Sequence, residues 1–552
     1  MRRGTRSAGL IFIASYAMFM AACGGSGSSN SGPAPAPSVN VVSLNQGWTD
    51  QTREAFHFTS QGAEMLQYDY FLALEQADST AAFAETSYLE SFRYLPAAAS
   101  AMNPDGLPIG FTKTIDPNTG VAYFGPTCAM CHTSQINYKK TGMLIDGAGT
   151  LGYFNAFFQA MVDALQATVE QPDKFNRFAD TILTPNHTQA QADALFANLA
   201  DVTSQLERRN LQNAPAAAPG FGRVDAFGNV FNLVMGDAIG EPSNVIPPDD
   251  AVSIPFLWTT PNLDLVQWNG SASNAGLLGP LARNVGEAIG VFGNLQVVPN
   301  SGYPSSIDFV ALGKLEVYLE ALLSPQWPEQ YLPHIDQAKA AAGKTYYTQI
   351  CAECHQLIDR TQTDLDIAVH MVPANVVGTD PGMAEQYVDR NGQTGILEGT
   401  KEYIIGGEVF GETAFGYQFL DNAVIGAILD HPFQGLEAAI VEYEAIKAAQ
   451  PFNPDSYKAR PLNGIWATAP YLHNGSVPSL AQMLTPPAER ISKFYVGSRE
   501  FDPSNVGFIT RKTEGAFLFD TTIPGNTNVG HEWGTTLSEK QKKELIEFLK
   551  TL

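Results

Sequence analysis

Two short runs carry residue types at a spacing suited to metal and redox chemistry: Cys128-Ala-Met-Cys131-His132 and Cys351-Ala-Glu-Cys354-His355. Four of the five cysteines lie in them. Cys-x-x-Cys-His is the attachment pattern of a c-type haem. The two thiols bond the haem vinyl groups, and the adjacent histidine is delivered to the iron as proximal ligand. A structural zinc site needs four ligands. It would have to draw on both runs, 223 residues apart, or on distant histidines. A redox dithiol does not require a histidine directly after its second cysteine, and both runs have one. The sequence therefore predicts two covalently bound c-type haems, with iron on His132 and on His355.

A haem that only carries electrons usually has His or Met on the far side of its iron, whereas one that does chemistry leaves that side open or replaceable. Nine histidines are available, two of them proximal. In the first half neither His57, in Phe56-His57-Phe58, nor His187, at a helix start, stands in a convincing distal context. That leans toward an open iron at the first haem. In the second half His531, in Asn526-Thr527-Asn528-Val529-Gly530-His531-Glu532, is the favoured second ligand. His473 is expected as a haem-pocket residue, and Met371 and Met483 are equally readable as core methionines.

These side chains need elements to hold them. Gln337 to Ile350 reads as a helix leading into Cys351, with Gly343, Tyr347 and Ile350 on one face. Ser538 and Gln541 form a capping box for a closing helix, along which Leu545, Leu549 and Leu552 recur at helical spacing. Such a pair resembles the small cytochrome c fold, whose first and last helices cross. The first half closes in the same way: Leu312, Leu315, Leu319 and Leu322 make a stripe that stops at Ser324-Pro325-Gln326-Trp327-Pro328. Within that half, Phe154, Phe158, Met161 and Leu165 predict one helix and Leu195, Leu199, Val202 and Leu206 another, followed by Gly/Pro-punctuated loops from Pro215 to Pro299. The expectation is a mainly α fold of two tandem cytochrome c-like haem domains, residues 46–330 with a large insertion and residues 331–552. Its long loops are of the kind that is usually functional.

The N-terminus adds an address. Arg2, Arg3 and Arg6 precede an apolar run from Ala8 to Ala22, a charged region and a core of signal-peptide length, too short to span a membrane. Met20-Ala21-Ala22-Cys23 resembles a bacterial lipoprotein signal, with Cys23 as lipid anchor after removal of residues 1–22. Residues 23–45 then read as a flexible tether. The expected place is the periplasmic side or the outer membrane of a bacterium, with the membrane touched only through the lipid. The 552 residues are 44% hydrophobic, with 20 Tyr and 32 Phe, enough for large cores. Formal net charge is −24, and loss of the three arginines takes it near −27. That excludes nucleic-acid binding by bulk electrostatics.

The run Ala459-Arg460-Pro461-Leu462-Asn463-Gly464-Ile465-Trp466-Ala467-Thr468-Ala469-Pro470-Tyr471-Leu472-His473-Asn474-Gly475-Ser476-Val477-Pro478-Ser479-Leu480 resembles the C-terminal motif of the bacterial di-haem cytochrome c peroxidase superfamily, which includes MauG. Three further segments resemble its rubber oxygenase-like (RoxA-like) branch. They are Gly47-Trp48-Thr49-Asp50 to Leu74-Glu75, Asn103-Pro104-Asp105-Gly106-Leu107-Pro108-Ile109-Gly110-Phe111, and Pro255-Phe256-Leu257-Trp258 to Gln267-Trp268-Asn269-Gly270.

The resemblance implies a catalytic haem on Cys128, Cys131 and His132 and an electron-transferring haem on Cys351, Cys354 and His355. His531 matches the late histidine that ligates the second haem in the RoxA-like branch. Met483 is its rival, because peroxidases use a methionine there. Glu287 is a candidate for the distal glutamate of the peroxidases, and Trp258, Phe256 and Trp268 for the aromatic distal pocket of the oxygenases. Ordinary core packing is the alternative for those aromatics. Trp466 is a candidate for the space between the haems, and Arg460 for a propionate partner. The resemblance also allows a calcium ion between the domains, as in some peroxidases.

Three functions follow from these features. The first is oxygenation or cleavage of an unsaturated apolar substrate with dioxygen. The second is reduction of hydrogen peroxide with electrons from a donor cytochrome, which needs a poised carboxylate. The third is electron transfer without catalysis.

Overall fold

The computed structural model describes residues 39–274, 279–431 and 455–552. The expected signal, Cys23 and the tether up to residue 38 lie outside the described residues. No helix among those described is long and apolar enough to cross a membrane.

The expected helices form where apolar periodicity and caps coincide. Phe154–Glu170 buries Phe157, Phe158, Met161 and Leu165 along one face. Gln189–Gln212 begins at a Thr188–Gln191 capping box and buries Leu195, Leu199 and Leu206. Both pack into a core with Phe71, Phe111 and Phe124. Phe71 and Phe124 stack at 3.9 Å. Burial of one such ring contributes about 1.5–3 kcal/mol, so this aromatic cluster is a main stabiliser of the first half. Phe309–Glu320 buries Leu312, Leu315 and Leu319 in a second, larger core that draws on residues from Leu44 to Leu549.

In the second half Gln337–Ile350 and Glu539–Leu549 cross tightly. A Cβ on Gly343 would lie 2.0 Å from the Glu544 carbonyl oxygen, so only glycine permits the approach. Tyr347 and Phe548 meet edge to face at 5.1 Å beside it. The Ser538–Gln541 capping box closes the last helix at its start.

The fold class differs from expectation. The chain is 38% helix and 16% strand, a mixed α/β structure with several small sheets rather than a mainly α one. Asn40–Ser43 pairs in parallel with Thr141–Asp146, which pairs antiparallel with Thr133–Tyr138. Lys139, at φ 56°, and Lys140 turn that hairpin directly after His132. A second three-stranded sheet joins Leu66–Gln67, Ala122–Pro126 and Phe111–Ile115. His370–Pro373 pairs with Ser456–Ala459. The strands span two to six residues each, and many sit between glycines and prolines. That is too short for alternation of apolar and polar residues to stand out against the helical stripes.

Candidate haem sites

Cys128–Cys131 is a single helical turn, and the His132 amide donates back to the Cys128 carbonyl at 2.9 Å. Two contacts fix the turn from outside. Thr127 Oγ1 donates to the Thr59 carbonyl at 2.7 Å. Gly110, at φ 82°, lies so close that a Cβ would sit 2.0 Å from the Met130 amide nitrogen. His132 Nδ1 is 2.9 Å from the Pro255 carbonyl oxygen. A carbonyl only accepts, so Nδ1 carries the proton and Nε2 keeps its lone pair for a metal. Burial pulls the His132 pKa down to about 4, which leaves the ring neutral, the ligating form. Burial, with the Glu287 carboxylate nearby, pushes the Cys128 and Cys131 thiols up to about 12.

The second motif repeats this arrangement at the end of helix Gln337–Ile350. The His355 amide donates to the Cys351 carbonyl at 2.8 Å. Tyr347 Oη donates to the His355 carbonyl at 2.6 Å. His355 Nδ1 is 2.8 Å from the Arg460 carbonyl oxygen, and burial lowers its pKa.

The His531 ring lies with its centre 6.3 Å from that of His355, inclined by 42°. An iron bonded at about 2 Å to one nitrogen of each ring, with each ring centre roughly 1 Å further out, needs about this separation. The gap fits one iron. His531 sits at φ 48° after Gly530 at φ 71°, where a Cβ would meet Gly378 at 2.2 Å. Arg490 clamps the loop, with Nη1 donating to the carbonyls of Asn528 at 2.6 Å and Gly530 at 3.0 Å, and Nη2 to that of His531 at 3.1 Å. Burial, and then His355, draw the His531 pKa down to about 4. Met483 packs at the edge of the large core.

A cavity of about 720 Å³ opens beside the first motif, with Cys128, Cys131 and His132 in its wall. Phe154, Phe158, Phe227, Phe256 and Phe292 are among its lining residues, beside charged groups such as Arg209, Arg283 and Lys458. Among the described residues its only histidine is His132 and its only methionine is Met130, inside the motif itself.

Trp268 lines the cavity and donates Nε1 to the Ser253 carbonyl at 2.8 Å. Trp258 packs behind Phe256 instead, fully buried, ring centres 4.6 Å apart, with Nε1 on the Asn463 carbonyl at 2.7 Å. Trp466 is fully buried against Trp327 and donates to the Pro325 carbonyl. Glu287, on helix Gly279–Gly290, lines the cavity and accepts from Gln267 Nε2. Loss of water around the carboxyl raises its pKa.

His473 stacks on Tyr457 at 4.0 Å, and burial takes its pKa to about 3. Its carbonyl accepts from the amide of cavity-lining Ser253 at 2.7 Å, so its loop is tied to the cavity wall. Arg460 also lines the cavity. Its fork is taken up by the Phe256 and Trp258 carbonyls and Thr259 Oγ1, which leaves Nε as the buried donor without a partner. Arg223 Nε, on the same wall, is likewise unpartnered and buried. Two orphaned cationic donors fit a group that brings carboxylates, as haem propionates do. His57 is structural: within helix Asp50–Phe58, its Nε2 is 2.9 Å from Asp146 Oδ1, beside the Arg53–Asp146 ion pair. His187 holds the Thr184 carbonyl at the surface. Among the described residues no group of three or more His, Cys, Asp or Glu side chains is arranged to hold a metal ion, so the calcium expectation gains no support.

Sequence reasoning missed Arg490 and the carbonyls of Pro255 and Arg460. Every residue has a carbonyl, so those two leave no mark in the sequence. A lone arginine in a loop of prolines, Arg490 in Pro486-Pro487-Ala488-Glu489-Arg490, is a weak signal for the clamp.

A Cys-x-x-Cys turn, followed by a neutral histidine held through Nδ1, suits covalent attachment of a haem. A family model described as RoxA-like, cytochrome c-like, matches residues 456–495. The uncharacterized protein y4iJ of Sinorhizobium fredii is 30% identical over an alignment 578 positions long, gaps included, which covers 93% of this chain and 93% of that protein. A second uncharacterized protein of the same organism, y4iM, is 25% identical over 362 residues, 61% of this chain and 73% of that one. The chain belongs to the family of y4iJ, and its match to the RoxA-like, cytochrome c-like model over residues 456–495 implies covalently held haem iron.

Proposed function

We propose that the protein is an exported di-haem oxidoreductase that oxygenates an unsaturated apolar substrate. Residues 46–330 carry the catalytic haem on Cys128, Cys131 and His132. Residues 331–552 carry the second on Cys351, Cys354 and His355, with His531 as its other ligand. The first haem would supply dioxygen activation and the second a store of electrons. The chain's own residues do the rest. Burial keeps His132 neutral, and the Pro255 carbonyl orients the ring through Nδ1, leaving Nε2 for the iron. The phenylalanines and Trp268 exclude water and offer an apolar chain a surface, and Arg223 and Arg460 offer charge to propionates.

The observation that carries this reading is the cavity of about 720 Å³ beside the first motif, rich in aromatic side chains and offering no second histidine among the described residues. It disfavours an electron carrier with both irons closed. The test is oxygen uptake by the purified holoprotein with polyisoprene or unsaturated lipid. Uptake with oxygenated products supports the reading. Hydrogen peroxide turnover with a reduced cytochrome and no uptake would overturn it.

One observation favours that second reading, a cytochrome c peroxidase. Glu287, its pKa raised and its carboxylate held by Gln267, stands in the same cavity as a group able to move a proton. Export and lipid attachment at Cys23 belong to the proposal. A Cys23→Ala chain should move from the membrane fraction to the soluble one with its haem retained.

A further inference from the structure

Each proximal histidine is held through Nδ1 by a main-chain carbonyl, His132 by Pro255 at 2.9 Å and His355 by Arg460 at 2.8 Å. The two carbonyls belong to segments that grip each other. Arg460 Nη1 donates to the Phe256 carbonyl at 2.8 Å, and Nη2 to the Trp258 carbonyl at 2.6 Å and to Thr259 Oγ1 at 2.9 Å. The guanidinium also lies 3.7 Å over the Phe256 ring. Thr259 takes up a left-handed φ of 64° within this grip. In return Trp258 Nε1 donates to the Asn463 carbonyl at 2.7 Å. From one imidazole to the other, the path therefore runs through Pro255, Phe256 and the length of a single arginine.

We propose that Arg460 is a strut that couples the two proximal histidines, so that one side chain sets the orientation and electronic push of both iron ligands. This rests on the two-haem reading above. Its first consequence is mechanical. The carbonyl that accepts from a ligating imidazole fixes the ring's angle and raises its basicity. Loss of the fork frees the Pro255–Thr259 segment on one side and the Arg460 peptide on the other. A lysine cannot replace it, because a single ammonium on a flexible stem does not span two carbonyls as a planar fork does. The second consequence is electrostatic. The guanidinium is buried with its fork on neutral acceptors, and an arginine stays charged there. A buried cation near two redox centres favours the reduced state of both.

The test uses the holoprotein, with haem content counted first and the two potentials followed by spectroelectrochemistry. Arg460→Met should lower both midpoint potentials, shift the iron–histidine stretching band of the reduced first haem in resonance Raman spectra, and shift the low-spin g-values of the second haem in electron paramagnetic resonance. Arg460→Lys, which keeps the charge and loses the fork, should bring the potentials back toward wild type while both signatures stay displaced. Thr259→Val, which removes one acceptor and no charge, should move both signatures less. A change confined to one haem, or to neither, would overturn the strut. If Arg460→Met does not assemble with two haems, the lysine variant decides alone, and unshifted signatures at both haems would sink the proposal. A wild-type chain that carries a single haem fails the two-haem reading itself, and the strut with it.

Discussion

His355 and His531 lie with ring centres 6.3 Å apart and ring planes inclined by 42°, one on the second Cys-x-x-Cys-His turn and the other 176 residues later in a loop clamped by Arg490. The gap fits a single iron between two neutral imidazoles. His531→Ala should therefore convert the second haem from six-coordinate low-spin to a form that binds added imidazole. Met483→Leu should leave the spectrum unchanged. The reverse pattern in absorption and electron paramagnetic resonance spectra would make Met483 the ligand. Arg490→Gln should loosen the same ligand without removing it, and would show as a mixture of spin states.

A change at Glu287 separates the two proposed chemistries. Glu287 is exposed to the open space of the cavity, yet the protein packed around its carboxyl strips water from the charged form and raises its pKa. Glu287→Gln keeps the size and the Gln267 contact and loses the titratable proton. Oxygen uptake with the apolar substrate should survive this change. Any peroxide turnover should fall about 10²-fold, the low end of what a positioned acid–base group contributes. A comparable loss of oxygen uptake would show that the oxygenation itself needs Glu287.

How far the sequence reaches is visible at individual residues. The two haem motifs, the helix before Cys351 and the capped last helix all announce themselves locally, through fixed spacing, 3.6-residue periodicity and cap chemistry. Trp258 and Trp268 do not. Ten residues apart in one loop region, they read alike, yet Trp268 lines the cavity while Trp258 stands behind Phe256. Only the path of the loop separates them, and contacts remote in sequence set that path, such as Trp258 on Asn463. The small sheets were hidden for the same reason: Asn40–Ser43 is a strand because Thr141–Asp146 lies beside it, about a hundred residues away.

A buried acid should make stability fall as pH rises. Loss of solvent, followed by repulsion from Asp225 and Asp380, lifts the Asp250 pKa from 3.8 to about 7. Between those values the folded chain keeps a proton that the unfolded chain has released. The folded state therefore binds more protons there and loses stability as pH climbs through the window, with no further change above about 7. Asp250→Asn cannot ionise and still accepts from Gln386, which donates to Asp250 Oδ2 at 3.2 Å. Its advantage over wild type in urea unfolding should grow from pH 4 to pH 7 and level at about 1 kcal/mol, discounted because the site is partly open to solvent. A constant difference across that range would show that Asp250 titrates normally.

Two glycines in helices should respond in opposite directions to the same substitution. Glycine in a helix interior costs about 1 kcal/mol relative to alanine, so Gly→Ala is stabilising wherever the added methyl finds room. Gly313, within Phe309–Glu320, has nothing within 4 Å of an added Cβ. Gly313→Ala should therefore raise stability by up to about 1 kcal/mol. Gly343 is also helical, but its added Cβ would meet the Glu544 carbonyl oxygen at 2.0 Å and carbon at 2.5 Å. Backbone of a packed helix cannot swing aside as a flexible side chain would. The helices must separate, and Tyr347 and Phe548 with them. Overpacking of this kind costs about 1–3 kcal/mol or more, which outweighs the propensity gain. Gly343→Ala should lower the urea midpoint and, because Tyr347 Oη holds the His355 carbonyl, disturb the second haem's spectrum while leaving the first unchanged. Equal stabilisation by both alanines would mean that the two helices do not cross at Gly343.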